Sequence, residues 1–365
     1  MRFSTLGLLP SGWLVLALLG CHKQDSPSPA ALTYTVSTLA GTGTAGLVDG
    51  PGPSAQFNGP AYAATDAQGN VYITDNKTNC IRRITPAGVV STLAGTGAVG
   101  LVDGPGATAQ FSYPNGIAVT SQGTVYVADT NNNCIRAISP TGVVSTLAGA
   151  ATYGLQDGPA ATARFWQPRG LALDQQGVLY VADCQNNRIR KITPAGVVST
   201  MAGSGPSNVN SIAENFADGP ASSALFYYPS GVAVNGQGTV YVADYQNNRI
   251  RKITAAGVVS TVAGSTGGCT DGDATQAKLY LPTDVTVDAS GTLYVADFGN
   301  GCLRRISPAG QVSVFAGSCT RLGYADGPTA SSLFSRSVGL VVNPAGTLLY
   351  VADSNNNRIR KISGQ

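Results

Sequence analysis

One phrase recurs along the chain and constrains its fold more than any other feature. Tyr-Val-Ala-Asp, or a close variant, is followed by an Asn-rich turn and then by Ile-Arg-x-Ile, six times at intervals of 53 to 61 residues. Its tyrosines are Tyr72, Tyr126, Tyr180, Tyr241, Tyr294 and Tyr350. Repetition at such a period indicates a repeat architecture, in which each unit buries its apolar surface against its neighbours.

Two further phrases keep step with the first. Val-Ser-Thr-Leu-Ala-Gly or a variant follows each of the first five copies, and an Asp-Gly pair precedes every copy. An apolar residue comes eight positions after that Asp, namely Phe57, Phe111, Phe165, Phe226, Leu279 and Phe334. In the second copy, runs rich in Val, Ile, Tyr and Thr between turn residues predict four strands: Gly116–Thr120, Thr124–Asp129, Cys134–Ser139 and Val143–Ala148.

The two ends of the chain predict a closed ring. The last copy stops at Ile362-Ser363 without its Val-Ser-Thr strand, and an orphan copy of that strand lies at Thr35–Ala40. Pairing the two removes the strand edge that an open ring would expose. We therefore predict an all-β, six-bladed β-propeller with four antiparallel strands per blade, whose last blade is closed by the N-terminal strand. An open β-solenoid would not need this arrangement.

The phrases Pro-x-Gly-Ile-Ala-Val and Tyr-Val-Ala-Asp-x-x-Asn-Asn-Arg-Ile-Arg-Lys-Ile resemble the NHL repeat family of β-propellers. The resemblance extends over residues 33–365, although the inserted Asp-Gly segment makes these units longer than the family's usual ones. Known relatives include protein- and RNA-binding modules, sensor domains of bacterial receptor kinases and an amidating lyase. The lyase uses a histidine-rich zinc site, and the single histidine here, His22, precedes the repeats, so that activity is not expected.

The N-terminus predicts export. Met1-Arg2 is a short basic start, and the apolar stretch Leu6–Leu19 leads to Leu18-Leu19-Gly20-Cys21, which is typical of a signal peptide over residues 1–20. This run resembles a bacterial lipoprotein signal, which implies a lipid on Cys21; an incidental cysteine after an ordinary signal peptide is the alternative. Residues 21–32 read as a flexible Pro/Ser-rich tether. We expect a protein held in the bacterial cell envelope by its lipid alone, facing the periplasm or the surface.

Most charged residues recur in every blade, so we predict that they are structural. One aspartate set ends the second strands (Asp75, Asp129, Asp183, Asp244, Asp297, Asp353) and another opens the Asp-Gly turns (Asp49, Asp103, Asp157, Asp218, Asp271, Asp326). An arginine set lies on the third strands (Arg82, Arg136, Arg190, Arg251, Arg304, Arg360). We expect the aspartates to cap turns and the arginines to bridge strands or blades.

The sequence gives little support for nucleic-acid binding, for a cofactor or for a catalytic motif. The net charge of +3 is too small for a nucleic-acid footprint, so no nucleic-acid partner is expected. Asp129-x-Asn131-x-Asn133 resembles the start of a calcium loop, but the following Gly and the distant Glu are missing. The sequence therefore predicts no cofactor, metal or catalytic residue.

Six cysteines follow Cys21, and export would permit disulfides among them. Cys302 and Cys319 are the predicted pair, because the hairpin at Pro308–Gly310 returns the fourth strand beside the third.

A ligand site should break the six-fold symmetry, and the segments before the inner strands differ between blades. They place seven candidate ligand-binding residues at the inner rim: Tyr113, Trp166, Arg169, Tyr228, Tyr280, Asp284 and Arg336. Asp284 stands where four other copies have Gly. Aromatic side chains with a few charges at the mouth of a ring suit a ligand surface, whereas packing between blades is the alternative role.

The predicted function is a non-catalytic binding or scaffold module for a protein, peptide or glycan ligand, acting as a monomer. The alternative is a propeller hydrolase or lactonase-like enzyme with a central metal. Only Glu214, Asp273 and Asp284 offer carboxylates outside the repeat for such a metal.

Overall fold

The computed structural model describes residues 32–205 and 216–365. Within them, thirty strands form six sheets of five antiparallel strands each, arranged as the six blades of a propeller. Inner strands contact the inner strands of neighbouring blades, and blade 6 contacts blade 1. The predicted fold class is confirmed.

The strands occupy equivalent positions in the six blades. The inner strands are Pro60–Thr65, Pro114–Val119, Pro168–Leu173, Pro229–Val234, Asp284–Val287 and Leu340–Val342. The second strands are Val71–Asp75, Val125–Asp129, Leu179–Asp183, Val240–Asp244, Leu293–Asp297 and Leu348–Asp353. The third strands are Cys80–Ile84, Cys134–Ile138, Arg188–Ile192, Arg249–Ile253, Cys302–Ile306 and Arg358–Gly364. The fourth strands are Val89–Ala94, Val143–Gly149, Val197–Ala202, Val258–Ala263, Gln311–Gly317 and, for blade 6, Tyr34–Ala40.

Each blade has a short fifth strand that the four-strand prediction missed. These edge strands are Gly50–Pro51, Gly104–Pro105, Gly158–Pro159, Gly219–Pro220, Gly272–Asp273 and Gly327–Pro328. In blade 2, Gly104 pairs with Val144 and Pro105 with Val143. A proline is tolerated on an edge strand because its missing N–H is not needed there. The Asp-Gly phrase therefore covers the outer edge of every blade.

Short 3-10 helices complete the blades. One, Gly52–Ser54, follows the first edge strand. The others join second to third strands at Asn76–Thr78, Thr130–Asn132, Cys184–Asn186, Tyr245–Asn247 and Ser354–Asn356. Each of these five helices is followed by an asparagine whose side-chain oxygen accepts a backbone N–H of the next blade, as Asn79 does from Tyr113. In blade 6, Asn357 accepts the N–H of Gly59 and so links the last blade to the first.

The N-terminal strand closes the ring as predicted. Tyr34–Ala40 pairs antiparallel with Arg358–Gly364, with Val36 opposite Ile362. On its other side it pairs with Gly327–Pro328. Blade 6 is therefore assembled from both ends of the repeat region, and its third strand has no open edge.

Apolar side chains fill the spaces between blades. Six apolar clusters each join residues of two adjacent blades. The apolar residues eight positions after each Asp belong to them and are at most 1% exposed. Burial on both faces of each sheet explains why the strands are continuously apolar.

The repeated charges form one buried cluster per blade. In blade 3, Arg190 is fully buried and binds Asp183 Oδ2 at 2.7 Å and Asp157 Oδ1 at 2.5 Å. The other five blades repeat this ion-paired cluster. Asp183 Oδ1 also accepts the N–H of Trp166, which precedes the inner strand, and Asp183 Oδ2 accepts the side-chain amide of Asn186, but no backbone N–H of the following 3-10 turn is capped by Asp183. The structural role of the repeated charges and the bridging by arginine are confirmed. The turn-capping prediction is wrong for the second-strand aspartates, whose carboxylates bind the arginine instead, and the sharing of one arginine by both aspartate sets was not predicted.

The predicted disulfide is wrong in its partner. Cys319 is bonded to Cys269, and Cys302 is a buried free cysteine. The fourth strand does return beside the third, with Cys302 opposite Gly317, and this leaves the Cys302 and Cys319 sulfurs 2.7 Å apart. The connection that carries Cys269 crosses the same place, where Gly268 O accepts a hydrogen bond from Asn300. Local sequence does not reveal that crossing.

Some predictions concern residues outside the described part of the chain. The signal peptide, Cys21 and Glu214 lie there, as does the tether except for its last residue, Leu32. Among the described residues, none belongs to a helix long and apolar enough to cross a membrane.

Candidate functional site: the mouth pocket

The inner strands converge so closely at the axis that most blades require glycine there. Gly116, Gly170, Gly231 and Gly339 occupy equivalent positions, and a Cβ on any of them would overlap the backbone of the neighbouring blade. In the two remaining blades this position is Tyr62 and Asp284. Two large polar side chains therefore enter the space that four glycines leave open.

Tyr62 spans the axis and divides it into two cavities. Its hydroxyl lies 3.1 Å from Ser230 Oγ in blade 4 and donates to Thr283 O in blade 5 at 3.2 Å. Tyr62 is 5% exposed, and burial raises the pKa of its phenol, which stays neutral. It lines a cavity on each side, so its ring is the partition between them.

Asp284 lies in the cavity formed by the inner strands, which has a volume of about 290 Å³. Its two oxygens accept the N–H groups of Val285 at 2.9 Å and Leu340 at 3.0 Å. Burial nevertheless raises the pKa of this carboxyl to about 8, so it is mostly protonated at neutral pH.

Among the described residues, Asp284 belongs to no group of His, Cys, Asp or Glu close enough to share a metal ion. Within residues 32–205 and 216–365 the only such group is Cys269, Cys302 and Cys319, whose sulfurs lie within 4.8 Å of one another. Of the described residues, Asp284 is the one carboxylate in the lining of either axial cavity, and one carboxylate does not make the ligand set of a central metal.

The second cavity, which we call the mouth pocket, has a volume of about 270 Å³. Its lining comes from the starts of inner strands and from the turns between second and third strands: Tyr62, Asn76, Lys77, Tyr113, Asn115, Arg169, Ser230, Tyr245, Thr283, Phe298, Val338, Ser354 and Asn355. Each blade contributes different side chains to it, as a specific site requires.

Arg169 is the less exposed of the two charged side chains in the described lining of the mouth pocket, the other being Lys77. It follows Pro168 at the start of the blade 3 inner strand and is half-buried. Cys184, Tyr62, Tyr245 and Tyr113 are near enough to act on it electrostatically. Within residues 32–205 and 216–365, no oxygen accepts a hydrogen bond from its guanidinium.

Other polar groups of the mouth pocket also lack protein partners. The side chains of Asn76, Ser354 and Asn355 make no hydrogen bond to any described residue. Asn115 uses its amide nitrogen, which donates to Tyr113 O and Thr130 Oγ1, but its amide oxygen receives no donor from the described chain. Several unsatisfied donors and acceptors of the described residues therefore lie together in this pocket. In the blade clusters both amino groups of each arginine are bound, and the unsatisfied atoms there are single Nε groups, those of Arg82, Arg136 and Arg304.

The structure gathers only part of the predicted ligand set. Tyr113, which is 41% exposed, and Arg169 line the mouth pocket. Asp284 lines the opposite cavity, behind Tyr62.

The other four predicted residues lie outside the lining. Trp166 stacks on Tyr153, with ring centroids 4.7 Å apart. Tyr228 contacts Tyr227, Tyr280 packs beside Gly299, and the Arg336 guanidinium lies 5.5 Å from the Phe298 ring centre. These are packing contacts, the alternative role that the sequence analysis gave for the candidate residues.

Sequence reasoning missed Tyr62 and the turn residues of the mouth pocket. A signal for Tyr62 was present, because it breaks the same glycine position that drew attention to Asp284. The turn residues Asn76, Tyr245, Phe298 and Ser354 vary between blades at equivalent positions. That variation was visible, but which turn positions face the axis depends on the three-dimensional path of the turn.

Comparison with known sequences matches the repeats directly. The NHL repeat matches residues 111–138, 165–192 and 226–253, and the teneurin NHL domain matches residues 266–363. Teneurin-3 of Danio rerio is 30% identical over 372 residues, which cover 90% of this chain. The match spans only 13% of the length of that teneurin.

Solved structures share the architecture at low sequence identity. An auxiliary nutrient binding protein from Bacteroides thetaiotaomicron has a TM-score of 0.69 and 18% identity, over 92% of this chain and 77% of that one. The gluconolactonase XC5397 of Xanthomonas campestris has a TM-score of 0.58 and 14% identity, over 90% of this chain and 89% of that one. At these identities the likeness concerns the fold. The repeat matches and the six closed blades together identify the chain as a six-bladed β-propeller built from NHL repeats.

Proposed function

We propose that this protein is a non-catalytic binding module whose ligand enters the mouth pocket. One observation carries the proposal: polar side chains of the pocket, among them Arg169 and Asn355, make no side-chain hydrogen bond to any described residue. A ligand that supplies those partners would gain hydrogen bonds that the free protein lacks, and such convergent polar groups in a concave site fix a ligand's orientation.

The chemistry of the pocket favours binding over catalysis. Cys184 is the nucleophilic side chain beside Arg169, and burial raises the pKa of its thiol, so it stays protonated. Asp284, whose carboxyl is poised to exchange a proton near neutral pH, lies beyond Tyr62 in the other cavity. The described lining contains no carboxylate or histidine that could act as a general base for a ligand in the mouth pocket.

The cellular setting is part of the proposal. A lipid on Cys21 would hold the propeller in the bacterial envelope, with the tether of residues 21–32 setting its reach, and the propeller would act as a monomer. An exported binding module would meet proteins, peptides or glycans outside the cytoplasm. The structural likeness to a nutrient binding protein is consistent with this role.

Binding arrays test the module, and a pocket-filling variant tests the site. We expect the purified protein to select ligands from a glycan and peptide array, and Ser354→Trp to abolish that binding because the indole would occupy the mouth pocket. Ser331→Trp is the matched control, since Ser331 is exposed beside the outer edge strand of the same blade.

Two results would contradict the proposal. If the protein binds no glycan or peptide on the array, the proposed binding function is contradicted. Binding that survives Ser354→Trp as well as Ser331→Trp would place the site elsewhere on the propeller.

A further inference from the structure

We propose that the mouth pocket recognises an acidic sugar, a uronic acid residue whose carboxylate binds the guanidinium of Arg169. This inference rests on the proposed function, because it names the ligand class of the same pocket. Four features of the described residues carry it: the missing counterion of Arg169, the absence of acid in the lining, the unpaired polar side chains, and the size and shape of the pocket.

Arg169 differs from the arginines of the blades in its lack of a counterion. The buried third-strand arginines each bind two carboxylates, as Arg190 does with Asp157 and Asp183. The groups around Arg169 are uncharged instead, because burial raises the pKa of the Cys184 thiol and of the Tyr62 and Tyr245 phenols. The guanidinium charge is therefore uncompensated inside a concave site, where a ligand anion would be held strongly.

The described lining of the mouth pocket carries no acidic side chain, and its second charge is also positive. Lys77 lies on the wall and is exposed, while the exposed Arg336 lies nearby against Phe298. Cationic ligands would be repelled by this arrangement, and neutral ligands would leave Arg169 unpaired. A carboxylate would both neutralise the guanidinium and accept two parallel hydrogen bonds from it.

The other unpaired polar side chains of the mouth pocket are suited to bind the hydroxyl groups of a sugar. Asn76, Asn355 and Ser354 offer both donors and acceptors that no described residue uses. A sugar ring presents hydroxyl groups along its edges, each able to donate and to accept. Tyr113, Tyr245 and Phe298 supply aromatic surface for the apolar C–H faces of such a ring.

The size and construction of the pocket favour a sugar over a peptide. Its volume of about 270 Å³ admits a single ring or the end residue of a chain. Peptides are commonly held by hydrogen bonds along an exposed strand edge. The described lining consists of turns and strand starts whose strands are already paired, so it offers no such edge.

Isothermal titration calorimetry with matched sugars tests the inference. The probes are D-galacturonate and D-glucuronate, with D-galactose, D-glucose and the methyl ester of D-galacturonate as neutral counterparts. We expect uronates to bind at least tenfold more tightly than the neutral sugars, with an affinity that falls as salt is raised. Trigalacturonate distinguishes a polymer end from the free acid, and N-acetylalanine tests a peptide carboxylate.

Three variants assign the charge effect to one residue. Arg169→Gln should reduce uronate affinity at least tenfold, to the level of the neutral sugars, while Arg169→Lys should retain part of it. Arg164→Gln is the control, because Arg164 lies in the same blade and donates to the carbonyls of Thr162 and Ala163 outside the pocket. Circular dichroism spectra establish that each variant is folded.

The outcomes separate this inference from the proposed function. If Ser354→Trp abolishes binding but uronates bind no better than neutral sugars, or bind Arg169→Gln equally well, the module stands and the acidic-sugar inference is overturned. Binding of N-acetylalanine in place of uronates would also overturn it, in favour of a peptide end. Absence of uronate binding would do the same.

Discussion

Two arginines of blade 3 lie in opposite circumstances. Arg190 is fully buried, binds Asp157 and Asp183, and donates further to the carbonyls of Gln156 and Arg164. Arg169, on the inner strand of the same blade, has no acceptor among the described residues. Arg190 has an equivalent in every blade, whereas Arg169 stands where the other copies have Ala, Asn, Ser, Thr or Val. A saturated charge holds the blade together, and an unsaturated one is available to a ligand.

Rarity alone does not mark the site. Asp284 and the Cys269–Cys319 disulfide also occur in one blade only, yet both are satisfied by the protein itself. The lack of a hydrogen-bonding or ion-pair partner is therefore the better criterion for a binding residue, and it can be tested on each of these groups.

The largest expected effect is the loss of a partner from a blade cluster. Asp183→Ala should lower the free energy of unfolding by about 3–5 kcal/mol, because it leaves the charge of Arg190 buried with one counterion fewer. Burial raises the pKa of Asp183 to about 6, so the pair is ionised at neutral pH. Urea unfolding at pH 7.5 measures the effect, and a variant as stable as the wild type would show that the cluster is not the structural unit described above.

A somewhat smaller loss is expected from the disulfide of blade 5. Cys269→Ala in a Cys302→Ala background, where Cys319 has no other partner, should cost about 2–4 kcal/mol of stability under oxidising conditions, because the bond closes a loop of 50 residues that the unfolded chain would otherwise sample freely. Cys302→Ala is the matched variant and should leave the disulfide intact. Peptide mapping without reduction identifies the bond directly, and a Cys302–Cys319 peptide would restore the pairing that the sequence suggested.

Asp284 should make stability depend on pH. Its folded pKa of about 8 lies above the ordinary value near 4, so between these values the unfolded chain releases a proton that the folded chain keeps. The wild type should therefore lose stability relative to Asp284→Asn by about 1.4 kcal/mol per pH unit from about pH 5 to 8, with no further change above.

Asp66→Asn is the control for this pH dependence. Hydrogen bonds from Asn70, Tyr72 and Gln68 outweigh partial burial and hold the pKa of Asp66 below its ordinary value. Both states of the wild type are then ionised from pH 5 to 8, and its difference from Asp66→Asn should be constant. Unfolding curves at pH 5, 7 and 9 measure both variants, and parallel profiles for Asp284→Asn and wild type would contradict the raised pKa.

The smallest effect on stability is expected at Arg169. Arg169→Gln removes a charge that no described residue neutralises, so the free energy of unfolding should change by less than about 0.5 kcal/mol or rise slightly. Thermal and urea unfolding in the absence of ligand measure it. A loss comparable with that of Asp183→Ala would mean that Arg169 is part of the structural framework, and the contrast within blade 3 would disappear.

Part of the candidate site could be predicted, since each signal was a departure from the repeat. Arg169 and Tyr113 stood out because other blades have different residues at their positions, and so did Asp284, which lies in the other cavity. The same reasoning also selected Trp166 and Tyr280, which pack against Tyr153 and Gly299. Sequence variation shows where blades differ, but contacts decide whether the difference is packing or a site.

The sequence by itself determined the six blades and their closure. Those features follow from local chemistry repeated in register: β-branched strands, turn residues and an orphan strand whose partner was missing at the other end. Only the tertiary structure decided that Cys269 bonds Cys319, that Tyr62 partitions the axis, and that Arg169 lies near neutral groups. These facts depend on residues brought together from different blades by the curvature of the ring, and no local pattern records which side chains meet there.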